Sequence, residues 1–226
     1  MAVAPTIQEC RECGGGAPVD AHFCPQCTKI LTLSRNGDYF AFLGLPRKLN
    51  LASEDLEQRF RTLSRQFHPD FFYNASTAER RASLERSSYL NDAYRALKQP
   101  VSRIEHLLTI EGLPLGKSEE GAAKVPPGLL EEVFALNEEL DEIRDLRETG
   151  TDSSTLAARL ATARQPIEAK RDEHERALAE ASEQWDRQGD APADARRATL
   201  ESLRQLLLER NYITNLLAGI ERELSQ

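Results

Sequence analysis

The sequence lacks several features that define large classes of protein. It has no uncharged apolar run near the roughly 20 residues of a membrane span, and residues 1–30 lack the apolar core of a secretory signal. Net positive charge is also missing, because the formal charge is −8 and the pI about 5.2. The 12 glycines and 11 prolines are scattered, without low-complexity segments or internal repeats. We therefore expect a soluble intracellular protein of one or two domains that binds neither nucleic acid nor membrane.

A catalytic arrangement is also missing. A hydrolase needs a nucleophile with a positioned base. His106 and His174 lie in charged helical stretches and are predicted to be solvated. The chain is therefore not expected to be a hydrolase.

Cysteine is scarce and confined to two Cys-x2-Cys pairs, Cys10 with Cys13 and Cys24 with Cys27. Four thiolates suit tetrahedral zinc in a closed structural site, whereas two disulfides fit poorly with a chain that shows no export signal. We predict structural Zn²⁺, with iron in a rubredoxin-like site as the alternative occupant. His22 is predicted to be a solvated loop residue rather than a ligand. The sequence leaves open whether this module stabilises the fold, mediates self-association or touches a partner.

An amphipathic helix precedes the stretch Arg65-Gln66-Phe67-His68-Pro69-Asp70. Its apolar residues recur at spacings of four, three and four, with Ser53 as the predicted N-cap and Pro69 as the stop. Arg61 and Arg65 lie on the opposite, exposed side. The apolar residues are Leu56, Phe60, Leu63 and Phe67.

A second helix follows the loop. Ser76-Thr77-Ala78-Glu79 is a capping-box pattern that begins it, and Pro100 lies just beyond its predicted end near Lys98. Its predicted core residues are Leu90, Ala93 and Leu97.

Two antiparallel helices joined by a His-Pro-Asp loop, after a short helix near residues 38–43, resemble a J-domain. The alternative is that His68 merely caps a helix and that Pro69-Asp70 is an ordinary turn. The resemblance implies docking onto a DnaK-class chaperone ATPase and stimulation of its ATP hydrolysis, with no catalysis by this chain itself. The chaperone-binding residues it implies are His68, Pro69, Asp70, Arg61 and Arg65. Asp70 would accept a charge-assisted hydrogen bond from a partner arginine.

The carboxy-terminal part is predicted to form a three-helix bundle. Leu129, Val133, Leu136, Leu140 and Ile143 make one seam. A second helix is predicted over about 154–187, where Pro166 must kink or interrupt it. A turn at 189–192 precedes the last helix, predicted over about 193–224.

The fold class predicted is therefore all-α. It comprises a tetracysteine zinc-binding module (1–33), a J-domain (34–111), a connecting segment rich in glycine, proline, lysine and glutamate (112–128) and a three-helix bundle (129–226). Ser34-Arg35-Asn36-Gly37 is the polar break between the first two.

A strip of residues lies off the bundle seam. Leu130, Phe134, Glu138 and Glu142 are rotated away from it, and Tyr212 lies off the main apolar face of the last helix. Either they pack against the second bundle helix or the J-domain, or they form a partner-binding patch.

A closer resemblance favours the patch. Residues 38–226 are similar to HscB, the co-chaperone of iron–sulfur cluster assembly, and members with an amino-terminal tetracysteine module exist. The segments that carry the resemblance are Asp38-Tyr39-Phe40, Leu43-Gly44-Leu45-Pro46, Arg65-Gln66-Phe67-His68-Pro69-Asp70-Phe71-Phe72, Asn91-Asp92-Ala93-Tyr94 and Glu138-Glu139-Leu140-Asp141-Glu142-Ile143.

The HscB resemblance implies that the bundle binds the scaffold protein IscU and presents it to the chaperone HscA. The implied scaffold-binding residues are Leu130, Phe134, Glu138, Glu142 and Tyr212. Glu131 and Ala135 depart from the family pattern, so the patch is expected to be smaller or shifted toward Phe134 and Tyr212.

Two questions stay open at this stage. A general DnaJ-like folding co-chaperone without scaffold specificity is the alternative function. The start Met1-Ala2-Val3-Ala4-Pro5 is no Arg-rich transit peptide, which favours a bacterial cytoplasm over the mitochondrial matrix.

Overall fold

The structure is a computed structural model that describes residues 7–33, 37–116, 125–189 and 191–224. Over these ranges it contains seven α-helices and only two short strands, which confirms the all-α prediction. No described helix is long and apolar enough to cross a membrane. The polar break at 34–36, residues 117–124 of the connecting segment, the first six residues and Asp190 of the predicted turn lie outside the described residues. The chain divides into two compact units, Met1–Gly112 and Leu113–Gln226.

The first unit begins with the cysteine module. Strands β1 (Ile7–Glu9) and β2 (Gly16–Pro18) pair antiparallel, with Ile7 opposite Pro18. A single bridge between Phe23 and Ile30 closes the second loop. The module has a small core of its own, formed by Cys10, Ala17, Cys24 and Leu31.

The helical part of the first unit contains α1 (Tyr39–Leu43), α2 (Ser53–Gln66), α3 (Thr77–Lys98) and α4 (Pro100–Ile110). The Ser76 and Glu79 side chains form the predicted capping box at the start of α3. The prediction that Ser53 caps α2 is wrong. Ser53 is the first helical residue, because the Ala52 carbonyl already accepts the first helical bond from Leu56 N at 3.2 Å.

The core between α2 and α3 follows the predicted periodicity. Phe60 is half-buried and stacks on Tyr94, with their ring centroids 4.3 Å apart. Burial of each large apolar side chain contributes about 1.5–3 kcal/mol before conformational entropy is subtracted. The predicted core residues that are buried are Leu56, Leu63, Phe67, Leu90, Ala93 and Leu97.

The second unit is a bundle of α5 (Leu130–Glu148), α6 (Ser153–Gln188) and α7 (Ala193–Leu224). Asp152 caps α6 by accepting a hydrogen bond from Thr155 N at 2.9 Å. Of the two outcomes predicted for Pro166, a kink or an interruption, the interruption does not occur, since α6 continues through this residue. Leu160 and Ile167, on either side of Pro166, are buried in the core shared with α5 and α7, and this packing offsets the missing N–H.

Both helical histidines were predicted to be solvated, and both predictions are wrong. His106 is half-buried and accepts a hydrogen bond from Tyr39 N at 3.0 Å, with its ring stacked on the Tyr39 ring at 4.3 Å. His174 is buried, and its Nε2 lies 2.7 Å from Glu209 Oε2 across the bundle. These partners are distant in sequence, so the charged local surroundings gave no sign of them.

Candidate functional site

The His-Pro-Asp residues lie in an exposed turn of 3₁₀ helix, Pro69–Phe72, between α2 and α3. His68 caps this turn, with its Nδ1 accepting a hydrogen bond from Asp70 N at 3.3 Å. Pro69 occupies the first helical position, where its missing N–H costs nothing. The Asp70 side chain is 87% exposed, and its Oδ2 lies 3.5 Å from His68 Nδ1. The carboxylate is thus presented to solvent while the backbone around it is fixed.

Both ends of this loop are anchored to α3. The Phe67 carbonyl accepts hydrogen bonds from Ser83 Oγ at 2.6 Å and Ser87 Oγ at 3.0 Å. At the other end the capping box fixes Ser76. Buried carbonyls need such partners, since an unpaired one costs about 1–3 kcal/mol. The loop therefore leaves and re-enters the core at defined points.

The two arginines predicted for chaperone binding lie on the exposed face of α2. Arg61 pairs with Glu57 at 3.0 Å, but both side chains are largely exposed. Such a pair contributes little to stability. Arg61 and Arg65 therefore remain accessible to an acidic partner, one helical turn apart.

Two exposed aromatic residues between α2 and α3 were not among the predicted site residues. Phe71 is 75% exposed and Tyr73 is 78% exposed. Singly exposed apolar side chains are common on protein surfaces, so it is the closeness of these two in sequence to Asp70 that makes them candidates for a contact surface. The sequence signal was the aromatic run Phe71-Phe72-Tyr73 in a segment too short to bury all three.

The four cysteines converge as predicted, with all four sulfurs within 4.8 Å of one another. Cys10 Sγ lies 3.7 Å from Cys27 Sγ, and Cys13 Sγ lies 3.7 Å from Cys24 Sγ. A disulfide bond would require about 2.05 Å. Tetrahedral zinc bound at about 2.3 Å places its sulfurs roughly 3.8 Å apart. The four sulfurs therefore fit a metal ion such as zinc.

The backbone of the module repeats the same turn at each cysteine pair. Gly14 N donates to the Cys10 carbonyl at 2.8 Å, and Thr28 N donates to the Cys24 carbonyl at 2.9 Å. Hydrogen bonds from the main-chain N–H groups of Cys27 and Gln26 lower the pKa of the Cys24 thiol to about 7. The pKa values of Cys13 and Cys27 are raised instead, so the hydrogen bonds of the turn favour the metal-binding thiolate at Cys24 alone.

The prediction that His22 is a solvated loop residue is wrong. Its Nδ1 accepts a hydrogen bond from Arg86 Nη1 at 2.8 Å. Its ring packs edge-on against Phe42 at 4.9 Å and Phe67 at 5.0 Å. Burial, and then the charge of Arg86, lower the pKa of His22 to about 4. The neutral ring is therefore part of the packing between the module and the helices of the first unit.

In the bundle, the predicted patch is unevenly exposed. Leu130 is 41% exposed and Phe134 is 67% exposed. Glu138 and Glu142 continue the same strip at four-residue intervals and are exposed, although Glu142 pairs with Arg159 at 2.6 Å. Tyr212 is half-buried and packs against the bundle core.

A groove of about 700 Å³ lies between α5 and α6. Ala135, one of the two positions that depart from the family pattern, lines it. Glu139 also lines the groove, and its Oε1 accepts a 2.6 Å hydrogen bond from Arg159 Nε. A side chain longer than that of Ala135 would extend into this groove, so the alanine leaves the groove open.

The described residues thus form paired antiparallel helices with an exposed His-Pro-Asp loop in the first unit and a three-helix bundle in the second. No family model matches the sequence. Among solved structures, the chain is similar to the human co-chaperone protein HscB, with a TM-score of 0.64 and 26% identity over 96% of this chain and 98% of that one. It is also similar to the chaperone HscB from Vibrio cholerae, with a TM-score of 0.51 and 25% identity over 84% of this chain and 98% of that one.

The resemblance to HscB is thereby confirmed at the level of structure, and the fold supports a J-domain co-chaperone role. These neighbours are co-chaperones, which fits the expectation that the chain is not an enzyme.

Proposed function

We propose that this protein is a J-domain co-chaperone of iron–sulfur cluster assembly. Its bundle binds the cluster scaffold protein, and its His-Pro-Asp loop docks on a DnaK/HscA-class chaperone and stimulates ATP hydrolysis there. The observation that carries this proposal is the similarity to human HscB over 96% of this chain and 98% of that one.

The chaperone contact is proposed to centre on Asp70. Its exposed carboxylate can accept a charge-assisted hydrogen bond from an arginine of the partner, a stronger bond than a neutral one. His68 and Pro69 hold the backbone that carries it. Arg61 and Arg65 add attraction to an acidic surface, which raises the association rate more than the affinity.

The scaffold contact is proposed to centre on Leu130 and Phe134. These two exposed apolar side chains can be buried at the centre of an interface, where most of the binding energy arises. Glu138 and Glu142 form a charged rim beside them. Tyr212 contributes from α7. The scaffold is thus expected to present an apolar patch with basic groups beside it.

The two binding sites lie in different compact units of one chain. A protein that holds both partners converts the encounter of scaffold and chaperone into an intramolecular event at raised effective concentration. Hydrolysis in the chaperone then traps the scaffold, and cluster transfer to acceptors follows. The cysteine module is proposed to hold structural Zn²⁺ on Cys10, Cys13, Cys24 and Cys27, where the ion supplies folding energy rather than chemistry.

The experiment separates the two sites. Asp70→Asn should abolish stimulation of the chaperone ATPase while scaffold affinity stays at the wild-type value. Phe134→Ala should weaken scaffold binding while stimulation of the ATPase stays at the wild-type value. Asp92→Asn, on the exposed side of α3, is the matched control for the first change. Stimulation without any scaffold binding by the wild type would instead indicate a general folding co-chaperone.

A further inference from the structure

The cysteine module contacts the J-domain helices at both ends of the His-Pro-Asp loop, defined here as residues 67–76. Phe67 is fully buried where the loop begins, and Glu79 is buried just after the loop ends. Phe67 contacts side chains of the module and of α3, and Glu79, a residue of α3, pairs with Lys29 of the module.

Arg86 in the middle of α3 is the principal link. It is 2% exposed, and its guanidinium points into the module. Its Nε donates to the Leu31 carbonyl at 2.9 Å and its Nη1 to His22 Nδ1 at 2.8 Å, while Nη2 donates to the carbonyls of Ala21 and Thr32 at 3.3 Å. A buried guanidinium requires such partners. All of these acceptors belong to the segment 21–32. Arg86 therefore has its hydrogen-bond partners only when that segment is folded.

Phe67 is enclosed by the same contacts. The rings of His22 and Phe23 lie 5.0 Å and 6.1 Å from its ring, and the Arg86 guanidinium lies 5.6 Å from its centroid. Its carbonyl is held by Ser83 and Ser87. The next residue in the chain is His68, so the module and α3 together fix the position from which the loop departs.

The far end of the loop is tied through one carboxylate. Glu79 Oε2 accepts the capping-box bond from Ser76 N at 3.1 Å, and Glu79 Oε1 pairs with Lys29 Nζ at 3.0 Å. Lys29 is two residues beyond Cys27, and its carbonyl accepts a hydrogen bond from Cys24 N at 2.9 Å. The turn from Cys24 to Cys27, which would hold the metal, therefore also fixes the backbone of Lys29 near Glu79.

We propose that the cysteine module is a positioning device for the His-Pro-Asp loop. Folded around its metal, it holds Phe67 through His22 and Arg86 and holds Glu79 through Lys29, so that Asp70 is presented in one conformation. This inference rests on the proposed function for its consequence in ATPase stimulation, but the ordering of the loop does not depend on that function.

The test uses the full-length, zinc-loaded protein and three substitutions. Lys29→Met removes the ion pair to Glu79, Lys29→Arg keeps it, and Arg86→Lys keeps the charge but loses the guanidinium fork. Arg81→Met, which removes an exposed pair with Glu85 on the outer side of α3, is the control. Amide hydrogen exchange is measured over residues 67–76 and over the bundle, together with zinc content and the chaperone concentration that gives half-maximal stimulation.

We expect Lys29→Met to speed exchange in the loop by about two- to fivefold, the size of effect set by a half-exposed ion pair. Arg86→Lys should speed it on the order of tenfold. Both should raise the half-maximal chaperone concentration, while zinc content and bundle exchange stay at wild-type values. Lys29→Arg and Arg81→Met should behave as wild type.

Unchanged loop exchange in Lys29→Met would overturn the inference, and this variant decides even where Arg86→Lys fails to fold. Faster loop exchange with no effect of the wild-type protein on any chaperone ATPase would support the positioning role and contradict the proposed function. Normal ATPase stimulation with unchanged loop exchange in both variants would support the proposed function and contradict the positioning role.

Discussion

The Ser83 hydroxyl of α3 donates a 2.6 Å hydrogen bond to the main-chain carbonyl of Phe67, the residue immediately before His68. Ser83 is fully buried, so this bond forms away from water. It joins α3 to the start of the loop that carries Asp70. A single serine thus connects the packing of the core to the presentation of the proposed docking residue.

The first prediction concerns this bond. Ser83→Ala should lower the free energy of unfolding by about 1 kcal/mol, because the Phe67 carbonyl keeps only the longer bond from Ser87. Ser83→Ala with Ser87→Ala should cost about 2–3 kcal/mol, since the carbonyl is then left unpaired. Urea unfolding measures both values. Ser88→Ala, at an exposed position of the same helix, is the control and should change nothing. Equal stability of the double variant and the wild type would show that the bond is unimportant.

The second prediction separates two residues of the bundle patch. Phe134→Ala should leave stability within about 0.5 kcal/mol of wild type, because the side chain is 67% exposed. Tyr212→Ala should destabilise the bundle by about 1–3 kcal/mol, because Tyr212 packs against its core. Thermal unfolding checks these values, and calorimetric titration with the scaffold checks affinity.

In that titration, Phe134→Ala should weaken scaffold binding by roughly tenfold or more, as expected for a central apolar anchor. Leu84→Ala, which removes an exposed leucine from α3, is the matched control and should bind normally. Loss of affinity only in Tyr212→Ala, in step with its loss of stability, would contradict a patch centred on α5.

The third prediction concerns the metal. Removal of zinc with a chelator should unfold residues 7–33, because the module core is four small or medium side chains, two of them ligands. The affinity for zinc should fall as pH is lowered, since protons compete with metal for the thiolates. Metal release into a chromophoric chelator measures this, with Cys13→Ser as a variant that loses a ligand. An iron-bound protein would instead be recognised by its thiolate-to-iron absorption.

The fourth prediction concerns pH. Burial lowers the pKa of His106 below its usual 6.5, so the unfolded chain binds its proton more readily than the folded one. The stability that neutral His106 contributes is therefore fully present above pH 6.5 and is lost as pH falls below that value. Unfolding of wild type and His106→Gln at pH 7.5 and pH 5.5 checks this. The difference between the two proteins should shrink at the lower pH, and a difference that grows would contradict the assignment.

Much of this fold could be predicted because its local signals agree with its packing. The capping box at Ser76 and Glu79 marks the start of α3, and Pro192 precedes a last helix found over the predicted residues, Ala193–Leu224. The Cys-x2-Cys pairs predicted a site for one metal ion, because two cysteines separated by two residues can approach the same ion from a single turn, and the four sulfurs do converge.

The histidines could not be predicted in the same way. His22, His106 and His174 take their partners from positions 64, 67 and 35 residues away. Nothing in the sequence next to each histidine identifies its partner, because the tertiary fold brings the two together. The sequence also left open whether Pro166 kinks or interrupts α6, and the helix is continuous there because buried residues on both sides pack into the bundle core. The contacts between the module and α3 could not be predicted from the sequence. Arg86 lies in a polar helical stretch, where an arginine is ordinarily exposed to solvent.

The central claim is that Asp70 couples this protein to a chaperone that receives the iron–sulfur scaffold. The most direct measurement is ATP hydrolysis by the cognate DnaK/HscA-class chaperone, with wild type or Asp70→Asn, in the presence and absence of the scaffold. Wild type and scaffold together should stimulate hydrolysis by more than the product of their separate effects, and Asp70→Asn should abolish that synergy. Stimulation that is indifferent to the scaffold, or that survives Asp70→Asn, would contradict the account.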